Sequence, residues 1–230
     1  MIELERDEHV FVLRMRSGEN RIGQSFLDAF HRALDEVEHA PEPRALVTTG
    51  RGRFYSNGLD IAGLQSGTAG TASRVLADLH ALFARLLTFP AATVAAINGH
   101  AFAGGAMLSL AHDVRVMRAD RGYFCLPEID LATGQPLTPG MVALLCVRAP
   151  RQSVHEALIT GRRYGGIEAA KAAFVDEVAG EAKVVARAID LARARQHHDA
   201  ATLGALKSGL YREALATLAV GSGDVAVGPL

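Results

Sequence analysis

Apolar residues follow two different periods along this chain, and the period identifies the elements. Residues 2–6 and 9–15 alternate apolar and polar side chains around an Asp7–Glu8 turn, which predicts a pair of β-strands. Apolar residues at helical spacing from 26 to 37 and from 75 to 87 predict two amphipathic helices. Short continuous apolar runs predict buried strands over 45–49, 91–97 and 114–117, with extended structure over 123–126.

The second half of the chain is mainly helical by the same criterion. Ser25 and Ser153 are the residue type that caps helix N-termini, so we expect each to begin a helix. The pattern predicts helices over 141–147, 154–159, 168–174, 183–195 and 202–219, with one strand over 175–178. The elements recur as irregular strand–strand–helix units, which indicates an α/β fold.

The stretch from Ala95 to Asp113 is the most constrained part of the sequence. A buried strand ends at Asn98–Gly99, and a nearly all-apolar helix begins at Gly104–Gly105. Small residues at a helix start permit close approach of a ligand, and the first amide groups of a helix have no partner within it. A tight packing joint between strand and helix explains the glycines equally well, so the pair alone does not define a site.

Two further stretches carry candidate chemistry. The loop at 50–60 contains Ser56, Asn57 and Gly58 where a buried strand ends, which is where ligands bind in many α/β proteins, although Asn–Gly is also a common turn. Glu128 stands among apolar neighbours, and burial would raise its pKa and allow proton exchange near neutrality. Taken alone, a solvated loop glutamate is the favoured interpretation.

Composition excludes several classes of function. The 230 residues are 49% hydrophobic, enough for one large core, and the 24 basic and 25 acidic residues are interspersed. No basic stripe indicates nucleic acid, and no apolar run is long enough to span a bilayer. Cys125 and Cys146 lack metal-site spacing, so we expect no disulfide and no metal. Without a signal peptide or peroxisomal ending, the expected location is the cytoplasm.

Three motifs resemble the crotonase superfamily, also called the enoyl-CoA hydratase/isomerase family. They are RFYSNGLDI at 53–61, AAINGHAFAGGAMLSLAHDVRVM at 95–117 and YFCLPEIDL at 123–131. The resemblance implies a crotonase-like α/β fold, in which repeated strand–strand–helix units form two sheets in a spiral. It also implies a catalytic core over 1–180, a helical region over 181–230 for trimerisation, and an acyl-CoA thioester as ligand. A homotrimer or a hexamer made of two trimers is expected.

The same resemblance implies roles for individual residues. The backbone N–H groups of Leu59 and Gly104 correspond to the oxyanion hole that stabilises a thioester enolate. Ser56, Asn57, Gly58 and Gly105 correspond to positions that bind the substrate and its CoA portion.

Family hydratases use two glutamates, and this chain matches only one of those positions. Glu128 corresponds to the catalytic glutamate, whereas Met107 stands where hydratases place their other one, and a thioether accepts no proton at neutral pH. The resemblance therefore implies a Δ3,Δ2-enoyl-CoA isomerase of fatty acid β-oxidation, closest to short plant peroxisomal enzymes, with a single base. No cofactor is expected beyond the CoA of the substrate.

Several alternatives remain open from the sequence. A hydratase, another crotonase-family reaction, or a non-catalytic acyl-CoA-binding relative would share these motifs. His100 and His112 lie near the glycine pair and are better explained as structural hydrogen-bonding residues. Asp60 is expected to cap the following helix, and Asp130 should point away from Glu128 if that segment is extended. Arg21 is a weaker candidate for contact with a CoA phosphate.

Overall fold

The computed structural model describes residues 2–131, 137–196 and 199–220, and its strands form two sheets. A six-stranded sheet has the order β1-β2-β3-β5-β7-β10, and every pair in it is parallel except β1–β2. A four-stranded sheet has the order β4-β6-β8-β9. The strands are β1 (Ile2–Asp7), β2 (Val10–Met15), β3 (Ala45–Gly50), β4 (Phe54–Ser56), β5 (Ala92–Ile97), β6 (His100–Phe102), β7 (Val114–Arg118), β8 (Phe124–Cys125), β9 (Arg163–Tyr164) and β10 (Glu177–Ala179).

The chain alternates between the two sheets and closes each step with a helix, as the resemblance implied. After β3 in the large sheet comes β4 in the small one, and β5–β6 and β7–β8 repeat this step. The helices are α1 (Gln24–His39), α2 (Ile61–Gln65), α3 (Thr71–Leu87), α4 (Gly104–Leu110), α5 (Pro139–Arg148), α6 (Arg151–Thr160), α7 (Gly166–Lys171), α8 (Val184–Ala194), α9 (Ala200–Leu210) and α10 (Arg212–Val220). Short 3₁₀ turns lie at Glu128–Asp130 and Glu181–Lys183.

Both faces of the large sheet are buried, which explains why its central strands are continuously apolar. One face packs against α8 through side chains such as Val12, Val94 and Leu191. The other face joins the main core, which contains apolar residues of α1, α3 and α4. The small sheet also contributes side chains to this main core, and its strands β4 and β6 contact α4.

The C-terminal segment differs from the prediction of one helix over 202–219. It forms two helices separated at Tyr211, whose backbone leaves the helical region and whose side chain is buried. Helical periodicity continues across a one-residue break, so the pattern does not reveal it. The Lys207 amine of α9 binds Asp113 and the carbonyls of Phe89 and Ala91, and α10 packs on α3 and α5 of the same chain. The expected trimerisation role of 181–230 stays a prediction.

Two predicted helix caps are wrong, and a third is confirmed. Helix α1 begins after Gly23, so Ser25 lies within its first turn. Helix α6 begins directly after Pro150, whose fixed φ starts the helix before Ser153. Asp60 caps α2, because its carboxylate accepts a hydrogen bond from Gly63 N at 3.2 Å.

Three strands were absent from the prediction: β4 within the expected loop at 50–60, β6 within an expected turn and β9 at 163–164. Among the described residues, no helix is both long and apolar enough to cross a bilayer. The same part of the chain contains no group of three His, Cys, Asp or Glu side chains able to hold a metal ion. The C-terminal residues 221–230, on which the expected cytoplasmic location partly rested, lie outside the described ranges.

Candidate active site

A cavity of about 550 Å³ opens where the small sheet meets α2, α3, α4 and α5. Polar groups of three separate segments reach it: the loop after β4, the start of α4 and the 3₁₀ turn at Glu128–Asp130. Its wall is otherwise mainly apolar. The apolar lining residues include Leu64, Leu76, Phe102, Met107, Leu137 and Met141. Such a cavity, with a few convergent polar groups, suits a small ligand with an apolar part.

The loop after β4 reaches the start of α4 because it contains glycine at the point of contact. Gly58 has φ +75°, and a side chain there would crowd Phe102 O at 3.0 Å and Gly104 N at 3.2 Å. Behind it, the buried Ser56 hydroxyl donates to Asn20 O at 2.7 Å. Ser56 and Gly58 therefore shape the loop from behind the cavity wall, and of the predicted trio Asn57 is the one that lines the cavity.

The start of α4 is also constrained, by an unusual backbone conformation and by lack of space for a side chain. Ala103, directly before the helix, has φ +49°, a conformation that costs an L-residue energy and is found at functional sites. A Cβ atom on Gly105 would overlap the Ser56 carbonyl, so Gly105 joins the helix to the loop and does not line the cavity. Gly104 does line it, and a Cβ built there would lie 3.8 Å from Leu59 N.

Leu59 and Gly104 present two backbone amides to the same space. Among the described residues, neither N–H group donates a hydrogen bond, although the flanking Asp60 N and Met107 N donate to Ile22 O and Ala103 O. An unpaired amide at a wall is costly unless water or a ligand accepts from it. The two amides that the motifs assigned to an oxyanion hole thus lie side by side at the cavity.

Glu128 enters the same cavity from the 3₁₀ turn. Burial raises the pKa of Glu128 from an ordinary 4.5 to about 7. Its buried Oε2 atom has no hydrogen-bond partner in the described part of the chain. Because no cation lowers its pKa, this carboxyl group is poised to gain and lose a proton near neutrality. Met107 lines the cavity as well and is 1% exposed.

The expected orientation of Asp130 is wrong. The segment is a 3₁₀ turn and not an extended strand, so residues two apart do not point in opposite directions. Asp130 lines the same cavity as Glu128 and lies beside Gly161, which has φ +60°. The expectation that Asp130 points away from Glu128 held only for an extended segment, and this segment is not extended.

Three other lining residues were not assigned to the site from the sequence. Cys125 lies in the wall, where burial raises the pKa of its thiol to about 11, so it stays protonated and unreactive. Thr138 caps α5 and contacts the buried His80 at 2.8 Å. Arg163 stacks on Phe102 with 5.7 Å between guanidinium carbon and ring centre. Cys125 lies within the motif at 123–131 but had no assigned role, whereas no motif marks Thr138 or Arg163, which reach the cavity through the cap of α5 and through β9.

The remaining candidates fall at the rim or behind it. Arg21 lines the cavity and forms an ion pair with Glu19 at 2.6 Å. His100 packs among aromatic rings, with its ring centre 5.1 Å from that of Phe102. His112 is fully buried and hydrogen-bonded at both ring nitrogens, which confirms a structural role.

Comparison with known proteins decides the family. The family model described as enoyl-CoA hydratase/isomerase matches residues 5–221. The chain belongs to the enoyl-CoA hydratase/isomerase family. It is 30% identical over 222 residues to enoyl-CoA delta isomerase 1, peroxisomal, of Arabidopsis thaliana, covering 94% of this chain and 91% of the relative.

The relatives carry both names of the enoyl-CoA hydratase/isomerase family. A putative enoyl-CoA hydratase of Thermus thermophilus is 35% identical over 200 residues, covering 84% of this chain and 76% of the relative. The crystal structure of a probable enoyl-CoA hydratase from Mycobacterium tuberculosis superposes with a TM-score of 0.89 at 29% identity, covering 98% of this chain and 94% of the other. The fold is therefore that of the crotonase superfamily, and the chain is an enzyme of this family.

Proposed function

We propose that this enzyme is a Δ3,Δ2-enoyl-CoA isomerase, which converts a 3-enoyl-CoA to the 2-trans-enoyl-CoA. The observation that carries the proposal is the placement of Glu128, a largely buried carboxyl group with a pKa of about 7, in one cavity with two backbone amides that have no acceptor among the described residues. The curated relatives named enoyl-CoA delta isomerase support the same reaction class.

In the proposed reaction, the thioester oxygen accepts hydrogen bonds from Leu59 N–H and Gly104 N–H. The Glu128 carboxylate removes a proton from C2 of the substrate, and the electron pair of that C–H bond forms a dienolate whose negative charge rests on the thioester oxygen. The double bond moves as Glu128 returns the proton to C4. Proton and electrons balance within the substrate, so the proposed reaction uses no cofactor besides the CoA that the substrate carries.

Met107 supports isomerisation over hydration. It lies in the cavity wall at the position that the motif comparison assigns to the other glutamate of family hydratases, and its thioether neither donates nor accepts a proton. Hydration adds water across a double bond and needs a group that orients the water and a group that delivers the proton. Isomerisation needs one group that carries a proton between two carbons, and Glu128 can do so alone.

One observation favours hydration as a second candidate. Asp130 lines the cavity two residues after Glu128, so two carboxyl groups face one space. The Thermus thermophilus relative bears the name putative enoyl-CoA hydratase. Under this alternative, Asp130 would orient the water while Glu128 delivers the proton.

The deciding experiment uses purified protein with trans-3-hexenoyl-CoA and, separately, with trans-2-hexenoyl-CoA. Absorbance of the conjugated enoyl thioester rises when the first is isomerised and falls when the second is hydrated. For an isomerase we expect activity on the 3-enoyl ester alone, lost in Glu128→Gln and kept in Asp130→Asn. Hydration that both variants abolish would establish the second candidate. Binding of the esters without turnover of either would indicate a non-catalytic acyl-CoA-binding protein.

We also propose that the enzyme assembles as a homotrimer or as a hexamer of two trimers. The motif resemblance supports this assembly, and two exposed apolar residues of α9, Leu206 and Leu210, offer a contact surface. Light scattering of the purified protein measures the mass directly. A monomer at micromolar concentration would contradict the proposal.

A further inference from the structure

Three fully buried polar side chains form a continuous hydrogen-bonded chain between the small sheet and helix α4. Tyr55 of β4 contacts Thr48 of β3, with 2.8 Å between Oη and Oγ1. Thr48 Oγ1 in turn lies 2.9 Å from His112 Nε2. The other ring nitrogen, Nδ1, lies 2.9 Å from Leu108 O in the last turn of α4. The proposed reaction uses none of these groups directly.

The donor and acceptor of each hydrogen bond in this network follow from its Leu108 end. Leu108 O is a carbonyl and only accepts, so His112 Nδ1 carries the hydrogen. Burial lowers the pKa of His112 to about 4, so the ring is neutral and its Nε2 accepts. Thr48 must then donate to His112, and Tyr55 must donate to Thr48. Each donor has one acceptor, and a fully satisfied buried network of this kind fixes the positions of its members.

The two ends of this hydrogen-bonded network, Tyr55 and Leu108, lie close in sequence to the two cavity amides. Tyr55 precedes Leu59 by four residues, and Leu108 follows Gly104 by four, one turn of helix. His112 is also one of the groups that complete the end of α4. The last four carbonyls of the helix accept from Ala111 N, the His112 ring, His112 N and Arg148 Nε.

We propose that Thr48 and His112 are positioning residues for the oxyanion hole: their hydrogen-bonded chain with Tyr55 holds α4 against β4 and thereby fixes the separation of Leu59 N–H and Gly104 N–H. The inference rests on the proposed function, because that function gives these amides the enolate charge. The residues touch no substrate and act through the elements that they connect.

The test uses four substitutions of buried groups. Thr48→Val removes the central hydroxyl and keeps the shape of the side chain, whereas Thr48→Ser keeps the hydroxyl. Thr93→Val is the matched control, because Thr93 is equally buried on β5 and its hydroxyl accepts from Asp113 N at 2.9 Å, with no connection to β4. Tyr55→Phe, which cuts the chain at its β4 end, carries the test if Thr48→Val fails to fold.

The main readout is the absorption band of bound 4-dimethylaminocinnamoyl-CoA, a thioester whose band shifts red when donors polarise its carbonyl. We expect Thr48→Val to lose most of the red shift and about tenfold in kcat, less than the 100- to 1,000-fold that removal of a whole donor costs. The Kd of the probe should change by less than about threefold, since binding depends on the whole cavity. Thr48→Ser should restore band and rate, and Thr93→Val should keep both.

Each outcome decides between explanations. An unchanged red shift in Thr48→Val, or in Tyr55→Phe where that variant carries the test, would overturn the positioning role. An equal loss in Thr93→Val would do so as well, because general loosening of the core would then explain the effect. The absorption band of the bound probe can be measured without any turnover. A wild-type red shift without isomerisation would therefore refute the proposed function, and the positioning role could still be tested. A wild type without any red shift would overturn the inference itself.

Discussion

Replacing Glu128 with Gln is expected to stabilise the folded protein at alkaline pH while abolishing activity. The reason is that burial raises the pKa of this carboxyl group from 4.5 to about 7, so the folded state resists its ionisation. Below pH 4.5 the group is protonated in both states and its titration costs nothing. As the pH rises from 4.5 to about 7, the unfolded chain gains from ionisation and the folded one does not, so stability is lost; above about pH 7 both states ionise and the loss levels off.

The magnitude follows from the two pKa values. The full penalty above pH 7 is about 3 kcal/mol, and most of it develops between pH 5 and pH 8.5. Glutamine does not ionise, so the difference in unfolding free energy between Glu128→Gln and wild type should grow by most of that penalty over this range. Comparing the change between two pH values removes any constant cost of burying the amide.

Urea denaturation at pH 5 and pH 8.5 measures this growth directly. The control is Glu36→Gln, the same substitution at a solvent-exposed glutamate of α1, and it should show no such growth. A pH-independent difference between Glu128→Gln and wild type would refute the argument, because it would mean that Glu128 ionises in the folded protein as readily as in water. Glu128 would then lack the raised pKa that the proposed role as proton carrier uses.

Further expectations concern the same cavity and the C-terminal helices. In the proposed isomerase kcat/KM should rise with pH through about 7 and then level, since Glu128 must be ionised to accept the C2 proton; a pH-independent rate would contradict this. Gly105→Ala should lower Tm sharply because its methyl group overlaps the Ser56 carbonyl, whereas Gly104→Ala has room and should keep Tm but lose activity; the reverse result would misplace the oxyanion hole. Lys207→Met should cost about 1–3 kcal/mol in urea denaturation, because the carbonyls of Phe89 and Ala91 lose their donor and the partly buried Asp113 carboxylate loses its cation; an unchanged stability would contradict this.

Much of the fold was predictable because the buried strands and amphipathic helices of this chain have clean periods. The three strands that were missed, β4, β6 and β9, are only two or three residues long, too short for any period to develop. Their partners are distant in sequence, for β9 pairs with β8 across almost forty residues. The prediction of two helix caps failed for a different reason. Ser25 and Ser153 have the right side chains, but the backbone already turns at Gly23 and Pro150.

The site was predictable where a local motif defines it. Gly104 and Glu128 lie at the cavity as the motifs indicated, because a helix start and a Pro–Glu turn are local features. Asp130 was misjudged since alternation assumes a strand, and the chain forms a 3₁₀ turn there. The path from Tyr55 to His112 was not predicted at all. It joins β4, β3 and the end of α4, and only the packed fold brings those segments together.

The burial that destabilises ionised Glu128 also assists the proposed reaction. Before proton transfer the negative charge is on the carboxylate; afterwards Glu128 is neutral and the charge lies on the thioester oxygen between two amides. The cavity raises the energy of the first state by leaving Oε2 without a partner, and it lowers that of the second through Leu59 N–H and Gly104 N–H. Burial thus strengthens the base in the proposed reaction, while the two amides stabilise the charge that proton transfer creates.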